Sequence, residues 1–394
     1  MINYNKNFLF YSLIFFIFFI VICMDKYLTS QIITYMGNKR KVIPHISNII
    51  DDIIVKLNNK SITTADAFSG SGIVSRLLKT KSNTLYVNDI AGYSSTLNNC
   101  FLSNPSKQDI LNIETLINKA NIFAHSNGDG GAEKWFRTHW APSDEIKKTD
   151  RVYFTKRNGL LIDKYMHFIK HTDYPKKYQC FLLAQLIVKC SIHNNTNGQF
   201  SAFYKDENGI GKYGGKKEID LNRITTNIKL DTPILYPNKC KAFISQLDVL
   251  EWVDKIPPVD IMYLDPPYNK HPYSIYYFIL DILNEWNTSQ HIPNTNRGQP
   301  KNWIKSDYNS FVNAEKSFKK LISKVKAKYI VLSYNNKGII PITTLEKILN
   351  SRGTIYKYPI EHKTYNKMKG IANYKRISQY EDVKEYIWIV EVKV

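Results

Sequence analysis

Cysteine is scarce and odd in number: Cys23, Cys100, Cys180, Cys190 and Cys240. None stands in a CxxC spacing or a Cys/His cluster of the zinc type, so neither a disulfide framework nor a structural metal is expected. The same scarcity points to a reducing, cytoplasmic setting. Internal repeats are lacking. So is the third glycine of a dinucleotide fingerprint, because Gly70-Ser71-Gly72 has no partner at the GxGxxG spacing, which disfavours a phosphate-bearing cofactor. Acidic residues are few, 34 against 54 Lys and Arg, leaving a formal charge of +20 and a pI near 9.4. That excess attracts polyanions, of which nucleic acid is the commonest. AT-rich coding would by itself produce a similar abundance of Lys, Asn, Ile and Tyr.

What is present describes a folded protein. Hydrophobic content of 43% with 22% charged residues is globular, and 394 residues exceed the usual single domain. Two domains, or one with a sizeable insertion, are expected. The segment "FLFYSLIFFIFFIVIC", Phe8 to Cys23, carries no charge. As a helix it would span roughly 24 Å, short of the ~30 Å hydrocarbon core, and it lacks the small-residue cleavage site of a signal peptide. A membrane segment is one reading of residues 1–23. The reading adopted is a functional start at Met24, since the first motif follows closely.

"SITTADAF" (61–68) reads as a strand that runs into the Gly/Ser turn "SGSG", and "IVSRLLKT" then has helical spacing. "NTLYVNDI" (83–90), "VDIMYL" (259–264) and "KYIVLSY" (328–334) read as further strands, with "VKEYIWIVEV" as another near the end. Short apolar runs of this kind belong to buried parallel sheets, so an α/β fold is expected. The stretch from 104 to 240 differs. It alternates loop-like segments ("HSNGDGGAEKW", "HNNTNGQF", "KDENGIGKYGGKK") with helical candidates ("LLIDKYMHFIK", "YQCFLLAQLIVK"). Its aromatic-basic mixtures, "EKWFRTHW" and "RVYFTKRNG", suit nucleic acid, and suit equally an ordinary core with a solvated face.

Three motifs carry chemistry. In "DAFSGSG", Asp66 precedes a glycine turn and suits a cationic ammonium better than a pyrophosphate. In "VNDI", Asp89 ends a strand, where it can accept from two ribose hydroxyls or serve simply as a helix N-cap. Together they describe an adenosine-type cofactor with a cationic tail and no phosphate, which S-adenosylmethionine matches. In "YLDPPY", Pro266 and Pro267 stiffen the turn and leave carbonyls free as acceptors. Asp265 and the neighbouring carbonyl then form an acceptor pair for an NH2 group, and Tyr268 offers a face to a planar base. Two acceptors pulling on an exocyclic amine free its lone pair to attack a methyl group. A base inside a duplex would have to be flipped out to reach them. "YMGNKRK" (35–41) adds an aromatic, a glycine turn and three basic residues, and could also be a surface cluster.

"YMGNKRK", "DAFSGSG", "VNDI" and "YLDPPY" resemble, in that order, the motifs of the adenine-N6-specific DNA methyltransferases of the DPPY type. The similarity is to the Dam-like group, which includes type II restriction-modification methylases. "RVYFTKRNGLLIDKYMHFI", "HNNTNGQFSAFYK" and "YIVLSYNNKGII" are similar to stretches of that group as well. The resemblance implies a Rossmann-like sheet of the S-adenosylmethionine-dependent methyltransferases with an inserted, mostly helical target-recognition domain. The cofactor half would be 24–103, the insertion 104–240 and the catalytic half 241–394. It also implies site roles. Tyr35, Lys39, Asp66, Phe68, Gly70, Gly72, Asp89 and Asp248 would hold the cofactor. Asp265 would bridge cofactor and target amine, Pro266 would give its carbonyl, and Tyr268 would stack on the flipped adenine. The implied partners are double-stranded DNA and a cognate restriction endonuclease, with the enzyme a monomer. Aspartate at 265, where cytosine-N4 enzymes more often carry Ser and protein-glutamine enzymes Asn, points to adenine. Methyl transfer to N4 of cytosine in DNA, to N6 of adenine in RNA, or an inactive DNA-binding relative are the alternatives.

Overall fold

The computed structural model describes residues 24–215, 218–301, 303–360 and 383–393. The expected membrane-like segment and the choice between Met1 and Met24 as the start fall on residues 1–23, outside the described residues. Among the described residues no helix is long and apolar enough to cross a membrane.

Seven strands form one sheet in the order β3-β2-β1-β4-β5-β7-β6. They are β1 (Thr63–Asp66), β2 (Thr84–Asn88), β3 (Lys241–Ser245), β4 (Val259–Leu264), β5 (Ala327–Asn335), β6 (Gly353–Ile360) and β7 (Glu385–Val392). The first five run parallel, and β7 lies antiparallel between β5 and β6. The expected α/β sheet is therefore present, with every strand read from sequence in place.

The period of two explains how β4 can be apolar throughout. Ile261 and Tyr263 face a core formed with the helices Ile43–Leu57 and Ile73–Lys81, on one side of the sheet. Met262 and Leu264 face the other side, against the helices Val249–Lys255, Ala314–Lys324 and Ile342–Asn350. A strand covered on both faces must be hydrophobic on both, and each large aliphatic side chain so buried contributes about 1.5–3 kcal/mol. β3 and β6 went unread because they are edge strands. Phe243 is exposed on β3, and β6 carries Pro359 with exposed Tyr356 and Tyr358, so neither shows a buried run.

Successive strands step outward in one direction from β1 to β3 and in the other from β4 to β5. The order reverses between β1 and β4, and ligands of open α/β sheets bind outside the carboxyl ends of the strands at such a point. Between β2 and β3 the chain leaves the sheet. The helices Lys107–His125, Lys156–His171 and Gln179–Ile192 share one apolar core with Gly92–Phe101 and Tyr273–Glu285, which flank the switch point. The loop within "HNNTNGQF" is buried rather than solvated. Asn195 Nδ2 donates to the carbonyls of Val152 and Lys212, while Arg223 donates to those of Asn194 and Thr196.

Candidate active site

A cleft opens at the carboxyl ends of β1, β2 and β4. It encloses about 1100 Å³ including space open to solvent, and is lined by Tyr35, Lys39, Asp66, Phe68, Gly70, Asp89, Asp248 and Asp265, among others. Eight of the sequence-derived candidates thus meet in one place, though they come from five separate stretches of chain. Three others, Gly72, Pro266 and Tyr268, are not part of the lining.

The glycine turn forms the floor. Gly70 has φ +52°, and a Cβ there would lie 2.8 Å from Cε1 of Tyr35, so only glycine lets the turn and the ring approach. The backbone N–H of Gly70 donates to Asp89 Oδ2 at 2.7 Å, and that of Ala91 donates to Oδ1 at 2.9 Å. Asp89 is thus held from below, and with about four lone-pair sites it keeps capacity for further donors. Beneath the turn Ser94 Oγ donates to the Gly70 carbonyl, and Asn98 Nδ2 donates to Ser69 Oγ. Gly72 (φ +76°) is the N-cap of the helix Ile73–Lys81, so it shapes the turn from behind.

Asp66, at the tip of β1, is 1% exposed. Its Oδ2 accepts from Ser75 Oγ at 2.6 Å, its Oδ1 lacks an aligned hydrogen bond, and the Phe68 N–H favours the ionised form. Burial pushes its carboxyl up to about 7, against the pull of the Ser75 hydroxyl and with added repulsion from Asp265. Asp89 is also raised by burial. Asp281, from the helix Tyr273–Glu285, joins them. Burial raises it to about 8, helped by Glu285 and opposed by the N–H groups of Gly92 and Tyr93. A buried carboxylate oxygen lacking an aligned hydrogen bond, among further carboxylates each costly to ionise alone, fits a cationic ligand. The glycine floor leaves room for it.

Asp265 follows β4 directly and faces Lys39, whose Nζ lies 3.1 Å from its Oδ1 and 2.6 Å from Oε1 of Glu385. Lys39 is set by the "GNK" turn: Gly37 (φ +75°) reverses the chain and Asn38 Oδ1 accepts from the Arg40 N–H, starting a short 3-10 helix. Burial opposes the Lys39 charge, but Asp265 and Glu385 outweigh it and hold its pKa well above the usual lysine range. Burial raises Asp265 to about 6 although Lys39 pulls the other way.

Aromatic rings complete the walls. Tyr35 stacks on Tyr277 (4.8 Å, 17°) and on Tyr273 (5.2 Å, 21°), and the Met36 N–H donates to the Tyr277 hydroxyl at 2.6 Å. Tyr273 and Tyr277 are four residues apart, the helix kinks at Tyr277 (φ −127°, ψ 15°), and both rings meet Tyr35. Phe68 meets Tyr308 edge to face at 5.3 Å beside Asp248, which caps the helix Val249–Lys255 through the Leu250 N–H. Tyr268 is half-buried, edge-on to Tyr334 at 5.6 Å with Lys39 Nζ 5.5 Å from its ring, and Pro266 is buried. Tyr273, Tyr277, Asp281, Tyr308 and Glu385 were not among the candidates. The repeated tyrosines of "YSIYY" at helical spacing are the one signal that could have found two of them.

A family model described as D12 class N6 adenine-specific DNA methyltransferase matches residues 35–348. The chain is 27% identical to Type II methyltransferase M.NlaIII of Neisseria lactamica, over 91% of this chain and 98% of that protein. It is 25% identical to Type II methyltransferase M.CviAII of Paramecium bursaria Chlorella virus 1, over 92% and 99% respectively. With Modification methylase StsI of Streptococcus sanguinis the identity is 24% over 91% of this chain but 52% of the relative, so the chain spans about half of that longer protein.

Proposed function

The chain belongs to the D12 class of N6 adenine-specific DNA methyltransferases, and from that premise we propose that its cleft binds S-adenosylmethionine and methylates a flipped-out adenine. When bound, S-adenosylmethionine supplies a methyl group on a positively charged sulfur. The protein's part is to hold, orient and polarise. Asp66, Asp281 and the open glycine turn take the cationic tail, Asp89 takes the ribose hydroxyls, and Phe68, Tyr308 and Asp248 flank the adenine ring of the cofactor.

Asp265 and the Pro266 carbonyl accept the two hydrogens of the target's N6 amine, which frees its lone pair to attack. The nitrogen gains the methyl group as the methyl–sulfur bond breaks, which leaves a neutral thioether, and it then passes one proton to the Asp265 carboxylate and on to solvent. Tyr268 stacks on the extruded base, a contact worth about 1–3 kcal/mol that offsets much of the cost of flipping. The observation that carries this reading is Asp265: it stands at the tip of β4, in the same cleft as Asp66, Gly70 and Asp89, with one carboxylate oxygen lacking an aligned hydrogen bond.

Residues 104–240 serve as the target-recognition part, and duplex DNA is the partner. The names of the relatives, type II methyltransferase and modification methylase, support a place in a restriction-modification system; a cognate endonuclease, a cytoplasmic setting and a monomeric enzyme are part of our inference. The test follows methyl transfer to unmethylated DNA by wild type and Asp265→Ala, with cofactor affinity measured by calorimetry. The expected result is a rate lower by on the order of 10²-fold or more in the variant, with cofactor affinity changed far less. An unchanged rate would refute the assignment.

A further inference from the structure

Because β7 runs against its neighbours, its first residue lies at the edge where the parallel strands end. That residue is Glu385, opposite Asn335 at the end of β5. Its Oε1 sits 2.6 Å from Lys39 Nζ and accepts from Ser333 Oγ at 3.1 Å. Lys39 is 3% exposed, Asp265 18% and Glu385 13%, so the three charges share one buried cluster. A single counter-ion would neutralise a buried lysine, whereas this one has two. The contact of Lys39 with Glu385 is the shorter. The one with Asp265 is longer at 3.1 Å, an ion pair that lacks an aligned hydrogen bond.

We propose that Glu385 is a positioning residue for methyl transfer: it draws the Lys39 ammonium to its own side, so that Asp265 stays an open acceptor for the target amine. This rests on the reading of Asp265 as that acceptor. With Glu385 neutral, the ammonium has one carboxylate left to serve and closes onto Asp265, occupying the lone pairs that the base requires.

The other groups facing Asp265 do not supply this balance. Asp66 on β1 adds negative charge, and Tyr263 on β4, Tyr268 in the same loop and Tyr273 on the following helix are held neutral by burial. The electrostatics therefore turn on Lys39 against Glu385.

The sign of the effect is fixed. Glu385 repels charge on Asp265 and Lys39 attracts it. The acid limb of the transfer rate is expected to follow Asp265, whose carboxyl burial raises to about 6, and to move to lower pH in Glu385→Gln. The plateau rate falls at least about tenfold, as the acceptor is occupied. In Lys39→Met the limb moves up, and adding Glu385→Gln to that variant brings it down again. Glu385→Asp keeps the charge and leaves the limb where it was.

The experiment is single-turnover transfer to DNA across pH 5 to 9 for the wild type and these four variants, with circular dichroism and thermal unfolding confirming the fold. Limb shifts of the stated signs support the proposal. A limb that stays fixed in Glu385→Gln, or a rate that falls only in step with stability, would overturn it, and Lys39→Met with its double variant decides if Glu385→Gln does not fold. A wild type that transfers no methyl group would instead refute the function on which the inference rests.

Discussion

Gly70 concentrates the residue-scale requirements of the site in one position. Its positive φ lets the turn fold back, its missing side chain admits Tyr35, and its N–H fixes Asp89. Alanine there adds backbone strain of about 1–2 kcal/mol and pushes Tyr35 off its stack with Tyr273 and Tyr277. Gly70→Ala should therefore lower unfolding stability by about that amount in a denaturant titration and weaken S-adenosylmethionine binding by roughly tenfold, as measured by calorimetry. Binding as tight as in the wild type would mean that the turn does not floor the cofactor site. Gly72 carries a similar φ but faces away from the lining, so the same change there bears on the start of the helix rather than on the ligand.

At the scale of elements, Arg151 joins parts far apart in sequence. Its Nε donates to the Thr295 carbonyl (2.8 Å), Nη2 to that of Pro293 (2.7 Å) and Nη1 to that of His139 (3.1 Å). The loop after the helix Tyr273–Glu285 is thereby fastened to the segment that follows Phe136 and Trp140. Arg151→Ala removes all three bonds, each worth about 0.5–1.5 kcal/mol net. Amide exchange should then rise at residues 294–299 while the protection of β4 stays the same. Equal protection in this loop would show that its own turns suffice to hold it. Such a clamp could not be read from "RVYFTKRNG", because an arginine's partners 140 residues on leave no local pattern. The interior strands were legible for the opposite reason. β4 and β5 are covered on both faces, and that covering writes itself into the sequence as an unbroken apolar run. β3, β6 and the helix Lys107–His125 each have one exposed side, and the helix turns Leu111 and Ile122 to solvent, so their pattern is faint.

For the molecule as a whole, the site was legible where backbone geometry demands a particular residue, as in the glycine turn, the capped "GNK" and the prolines after Asp265. It was not legible where a side chain arrives from a distant element. Asp281 and Glu385 look like ordinary surface acids in the sequence, and only the packing of a helix brings Asp281 to the cleft and that of an antiparallel strand brings Glu385 to Lys39. The charge is likewise a property of the whole, +20 overall with an acidic cleft. DNA binding should accordingly weaken steeply with salt, by on the order of 10³-fold between 50 and 200 mM if about six phosphates are contacted. A flat salt response in a fluorescence titration would argue against charge-driven DNA binding.

The most direct test of the central claim is to incubate the protein with S-adenosylmethionine and unmethylated plasmid, digest the DNA to nucleosides, and identify the methylated base by mass. N6-methyladenine, formed by the wild type and lost in Asp265→Ala, is the result this account predicts. N4-methylcytosine, or N6-methyladenine made equally well by Asp265→Ala, would contradict it.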